Sequence, residues 1–135
     1  MEIAEFEKNA ALKFAEFKKK WSGRGAIRTT FRLDTDSAVL VFEQDFTNLE
    51  YDLLDFTKSE NRMDKYLKRI VNVMTGDFNP FLNTLHEGLQ ITAMKTTVEG
   101  WAFRYQITTM VFNKNLRQLV LSDDIDKSKI SKSTK

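Results

Sequence analysis

The chain has no cysteine. That excludes disulfides, thiolate metal sites and thiol nucleophiles, and it fits a cytoplasmic protein. There is one histidine, so zinc sites built from several His or Cys ligands are out of reach. No apolar run approaches the roughly 20 residues a bilayer-spanning helix needs. The first residues, Met1-Glu2-Ile3-Ala4-Glu5-Phe6, lack the basic start and apolar centre of a signal peptide. Charge of either sign is nearly balanced, at a net +2, too small by itself to imply nucleic acid. Glycine and proline are sparse, five and one in 135 residues, so each marks a definite break or bend.

What is present points to a folded, soluble single domain. Hydrophobic residues make up 41%, with eleven Phe and two Trp, enough to build a core. Charged residues make up 30%. The longest periodic stretch is 57–88. It opens on Thr57-Lys58-Ser59-Glu60, a capping box in which Thr57 and Glu60 each accept from the other's amide. Met63, Tyr66, Leu67, Ile70, Val73, Met74, Phe78, Phe81, Leu82 and Leu85 then draw one apolar stripe. Gly88 stands where a left-handed C-terminal cap falls. Pro80 clashes with the carbonyl of Gly76 and predicts a kink over 76–80.

Residues 2–21 read as an amphipathic helix with Ile3, Phe6, Ala10, Phe14, Phe17 and Trp21 inward. Lys18-Lys19-Lys20 suits the negative end of its dipole, or alternatively an acidic partner. Ser22-Gly23-Arg24-Gly25 lacks the strand–turn–helix context of a dinucleotide fingerprint. It reads as a helix-to-strand connection, with a backbone anion nest at Arg24 as the sharper alternative.

Residues 26–33 and 38–44 form a predicted hairpin around Asp34-Thr35-Asp36-Ser37. Pairing Leu33 with Ala38 sets Phe31 against Leu40, Thr29 against Phe42, and Arg28 against Glu43 as a cross-strand ion pair. Thr47-Asn48-Leu49-Glu50 is a second capping box, opening a short helix to about Phe56. A second hairpin is predicted over 89–98 and 101–112, with Glu99-Gly100 as the turn and Val98 paired with Trp101. That register puts Met94, Thr96 and Val98 on one face with Trp101, Phe103, Tyr105 and Ile107. Lys95 then opposes Arg104, a like-charge pair that calls for an anion or a carboxylate. Over 113–121 the chain either extends a strand or forms a short helix. Residues 122–135, rich in Asp, Lys and Ser, read as a disordered tail after a domain spanning 1–121.

The plan is α-β-β-α-α-β-β. It predicts an α+β two-layer sandwich, helices on one face of a mostly antiparallel four-stranded sheet. The other face holds Arg28, Arg32, Lys95, Arg104 and Gln106 beside Val39 and Val41, a solvated or partner-binding surface. His86 lies in a helix's last turn and reads as a cap or surface residue. No nucleophile elbow or paired-carboxylate spacing accompanies it, so the expectation is a non-enzyme without metal or cofactor.

One combination of short motifs resembles the MpsC-like family. These small bacterial proteins are named for a Na+-translocating membrane-potential-generating system. Gly23-Arg24-Gly25 matches a Gly-Lys/Arg-Gly-Pro motif, with Ala26 in place of the proline. Thr47 and Glu50 match a Leu-Thr-x-x-Glu motif, with Phe46 in place of the leucine. Arg62 or Arg69 stands for the arginine of the long helix, Arg69 being favoured. The resemblance covers about residues 5–112. It implies a soluble accessory protein of a membrane ion or bicarbonate uptake system, with no established catalytic residues. The expectation is therefore a cytoplasmic, homodimeric accessory protein. Its candidate anion- or partner-binding residues are Arg24, Arg32, Arg69, Lys95 and Arg104. A nucleic-acid-binding module using the same cations is one alternative. A small-ligand sensor with an apolar pocket beside Pro80 is the other.

Overall fold

The structure is a computed structural model, and it describes residues 1–23, 25–45, 63–100 and 104–130. Helix α1 (Ile3–Ser22) is 20 residues long and contains no Gly or Pro. It ends where Gly23 turns left-handed (φ 78°) and returns its N–H to the Lys19 carbonyl at 2.9 Å. Strands β1 (Arg28–Asp34) and β2 (Ser37–Glu43) follow in the register expected from the turn, with Leu33 opposite Ala38 and Arg28 opposite Glu43. The two central turn residues are Thr35 and Asp36, and Thr35 has positive φ (29°). Their carbonyls accept from Arg117 and Phe112, at 3.0 and 2.7 Å, which fastens the turn to the chain's later segments.

The second capping box and its short helix (47–56), and the start of the long one at Thr57, lie outside the described residues. Within them, α2 (Met63–Leu85) runs unbroken past Pro80. It closes at Gly88 (φ 83°), whose amide donates to Asn83 Oδ1 at 2.9 Å. Strands β3 (Ile91–Glu99) and β4 (Tyr105–Phe112) complete an antiparallel four-stranded sheet of order β1-β2-β4-β3. The chain forms the expected α+β sandwich, with α1 on β1 and α2 on β3.

The core lies between these layers. Phe6, Ala10 and Phe14 of α1 meet Phe31, Leu33, Leu40 and Phe42 of the sheet. Phe78 of α2 is fully buried, its ring centroid 4.3 Å from Phe14, 5.6 Å from Phe17 and 5.7 Å from Trp21. Each such ring pair adds about 0.5–1.5 kcal/mol beyond the area it buries.

Three expectations are corrected. The second hairpin is not closed by Glu99-Gly100: Val98 pairs with Gln106, not Trp101, and Lys95 faces Thr109, not Arg104. An odd shift of register exchanges faces. Gln106, Thr108, Met110 and Phe112 therefore point into the core, and Tyr105 and Ile107 point away from it. The phase is set at the far end, where Met110 and Phe112 supply the apolar anchors. Lys18, read with its neighbours as a helix-end cation, lies on the inward stripe one turn after Phe14 and is 8% exposed. Finally, the chain from 122 to 130 is packed rather than loose. After a short helix α3 (Leu116–Leu121), Ile125 and Ile130 enter the core, and Asp126 N–H bonds the Leu85 carbonyl at 2.7 Å. Two isoleucines in a polar stretch are enough to anchor it once the end of α2 leaves room for them.

Candidate functional site

The helices cover one face of the sheet. On the other, pairing places sixteen residues in four rows across β1, β2, β4 and β3. Arg32, Val39, Thr109 and Lys95 form one row. The next is Thr30, Val41, Ile107 and Thr97, and the third is Arg28, Glu43, Tyr105 and Glu99. The fourth, beyond the Arg32 row, is Asp34, Ser37, Val111 and Ala93. Val39, Val41, Ile107 and Val111 thus make an apolar centre, and charges mark the margins. Val39 and Val111 are 38% and 39% exposed, so among the described residues nothing covers them. A solvated sheet face normally carries polar residues on its central strands. This one does not.

The cations differ in their surroundings. Glu43 is the hub at one end. Its Oε2 accepts from Arg104 Nη2 and Nε at 2.7 and 3.0 Å, and its Oε1 faces Arg28 Nη2 at 3.0 Å. The Arg104 hydrogen bonds, opposed by partial burial and aided by the charges of Arg104 and Arg28, hold the Glu43 carboxyl below its ordinary range. The same contact raises Arg104. The carboxylate that Arg104 needs therefore comes from the neighbouring strand, not from an external anion. Arg32 reaches over the sheet edge to within 3.7 Å of Glu7 on α1. The other Glu7 oxygen accepts from Leu33 N–H at 2.7 Å, so one carboxylate occupies both an edge-strand donor and a cation.

Lys95 shares its row with Arg32, three strand positions away, which is about 14 Å at the usual strand spacing. It also rims a groove of about 460 Å³ between α2 and β3, beside Lys68, Leu67 and Val71. Arg69 is not on the sheet face. It projects from α2 beside Trp21, Tyr66, Ile70 and Val73, around an apolar recess of about 170 Å³. Arg24 lies outside the described residues. The structure thus brings Arg32, Lys95 and Arg104 to one face and sets Arg69 apart.

Beneath the sheet runs a buried polar chain absent from the sequence reading. Lys18 Nζ lies 3.5 Å from Gln106 Oε1 and 5.3 Å from the Phe42 ring centroid. Gln106 Nε2 reaches Thr96 Oγ1 at 3.4 Å, and the Thr96 and Thr108 hydroxyls bond each other at 2.8 Å. These contacts explain how polar residues occupy the core side of β4. His86 keeps to the helix end: its Nδ1–H donates to the Asp124 carbonyl at 2.9 Å.

A hollow of about 440 Å³ opens between α1 and α2, lined by Lys13, Phe17, Gly76, Asp77, Pro80, Phe81, Thr84 and Lys129. The sequence pointed to Pro80 but gave no sign of the lysines, which come from α1 and from the segment read as a tail. Among the described residues, no group of three or more His, Cys, Asp or Glu could hold a metal, and no helix is long and apolar enough to cross a membrane.

Fold and site together define an α+β two-layer sandwich with one apolar-centred sheet face left open among the described residues. No family model matches the chain, and neither a curated protein nor a solved structure does.

Proposed function

We propose that this protein is a non-enzymatic, cytoplasmic accessory protein that acts by contact, and that its open sheet face joins two copies. The exposed apolar centre of that face carries the reading. Val39 and Val111, on the two central strands, are 38% and 39% exposed with nothing among the described residues over them, and burial against a second sheet would stabilise them. Aligned packing about a two-fold axis across the strands lays the Val39 row of one copy over the Val41 row of the other. It also sets Asp34 over Arg28 at both ends of the β1 margin. The surface is self-complementary in the sense a two-fold interface requires. Four strands and four rows span about 19 by 27 Å, or roughly 1,000 Å² buried in total, the size of a reversible contact rather than an obligate one.

The resemblance in Gly23-Arg24-Gly25, Thr47, Glu50 and the long-helix arginines supplies the setting, a membrane ion or bicarbonate uptake system. The nucleic-acid alternative draws less support. Arg28, Arg32 and Arg104 each already face a carboxylate of this chain. Pull-down from native membranes plus cytosol tests the role. Recovery of a transport subunit by the wild-type chain supports it. Recovery of nucleic acid alone, released by moderate salt, replaces it with the alternative.

A further inference from the structure

The hollow at Pro80 is assembled from features that packing alone does not require. Gly76 is in the interior of α2, has no positive φ, and a Cβ built there meets nothing within 4 Å. Glycine is among the poorest interior helix residues. No turn or close approach demands it here, and its missing side chain keeps the hollow open. Four residues on, Pro80 has no N–H, so the Gly76 carbonyl has no donor from the position that ordinarily bonds it. Gly76, Asp77, Pro80, Phe81 and Thr84 recur on one side of α2, and all line the hollow.

Across from them stand Lys13 and Phe17 of α1 and Lys129 of the C-terminal segment, while Asp77, the carboxylate of the α2 side, accepts from Trp21 Nε1. Phe17 and Phe81, with ring centroids 6.0 Å apart at 65°, form an aromatic wall. Lys13 Nζ stands 6.0 and 5.7 Å from those two ring centroids. Its contact with Glu16, at 3.7 Å and with Glu16 71% exposed, is a weak surface pair that leaves its charge effective. Lys129, a second lysine, lines the same hollow from the C-terminal segment. The volume, about 440 Å³, falls within the roughly 300–1,000 Å³ of small-molecule sites.

We infer that this hollow binds a small planar aromatic acid that also carries a hydrogen-bond donor. The anion meets Lys13 and Lys129, the ring lies against Phe17 and Phe81, and the donor reaches the Gly76 carbonyl. The inference does not rest on the sheet-face contact, which lies on the other side of the molecule.

Amide-resolved NMR titration of the full chain tests it with three probes: 4-hydroxybenzoate, benzoate and 4-hydroxybenzylamine. Expected are saturable shifts at Gly76, Asp77, Phe81 and Thr84 with 4-hydroxybenzoate, about fivefold weaker binding of benzoate, and no saturation with the amine. Lys13→Gln with Lys129→Gln is expected to weaken 4-hydroxybenzoate at least about tenfold. Gly76→Leu fills the hollow while improving the helix, so its melting temperature holds or rises while binding is lost. The inference is overturned if no probe saturates below about 10 mM, if the amine binds as well as the acid, or if Gly76→Leu binds like wild type.

Discussion

Arg104 places two nitrogens, Nη2 at 2.7 Å and Nε at 3.0 Å, on a single carboxylate oxygen of Glu43, one strand away. The other oxygen of Glu43 faces Arg28 on the far side. One carboxylate thereby ties the ends of β1 and β2 to the start of β4 and neutralises part of a cationic margin.

That geometry fixes a pH dependence. The folded Glu43 carboxyl titrates below its ordinary value of 4.5, chiefly through the Arg104 hydrogen bonds. A group lowered in this way contributes stability above its unfolded pKa and loses it as pH falls through the folded one. Glu43→Gln is therefore expected to melt below wild type at neutral pH. The gap should close in strong acid, where wild-type Glu43 is protonated as well. Thermal melts of both chains across pH check this, and a gap independent of pH would count against the clamp.

The Thr96–Thr108 hydroxyl pair predicts non-additivity. Both side chains are buried, and their oxygens are 2.8 Å apart. Thr108→Val leaves the Thr96 hydroxyl only the longer contact from Gln106 Nε2, at 3.4 Å, at a cost of about 1–3 kcal/mol. Thr96→Val/Thr108→Val removes both and should cost less than the sum of the single changes. Urea unfolding of the four chains gives the coupling energy directly.

Ile130 gives a sharper test of the C-terminal segment. It is 3% exposed and belongs to the core. Ile130→Ala is expected to lower stability by about 2–5 kcal/mol in denaturant unfolding. A loose tail would lose nothing.

How far the sequence carried this fold depended on where the signals were local. The first hairpin was legible because Asp34-Thr35-Asp36-Ser37 and the alternation of Phe31, Leu33, Leu40 and Phe42 demand one register. Both described long helices were legible from their apolar stripes and their closing glycines, Gly23 and Gly88. The second hairpin was not. Tyr105 and Ile107 alternate like core residues, while Gln106 and Thr108 take the buried side in phase with Met110 and Phe112, where Lys18 and Thr96, distant in sequence, bond them. Lys18 itself stands four residues after Phe14, so its inward position was written in the spacing and hidden by its charge. Of the candidate site, the Arg28–Glu43 pair was readable, since it needs only one hairpin. The partner of Arg104 was not, since it needs β4 beside β2, a matter of strand order. The face centred on Val39 and Ile107 likewise exists only once that order is known.

The central claim is that this face joins two copies. Sedimentation velocity over a wide concentration range tests it most directly, with Val39→Lys as the companion, since Val39 is at the centre of the face and outside the core. The account predicts a reversible dimer that strengthens with concentration and is lost in Val39→Lys, whose circular dichroism and melting temperature stay near wild type. A wild-type chain that remains monomeric throughout, or a dimer indifferent to Val39→Lys, would contradict it.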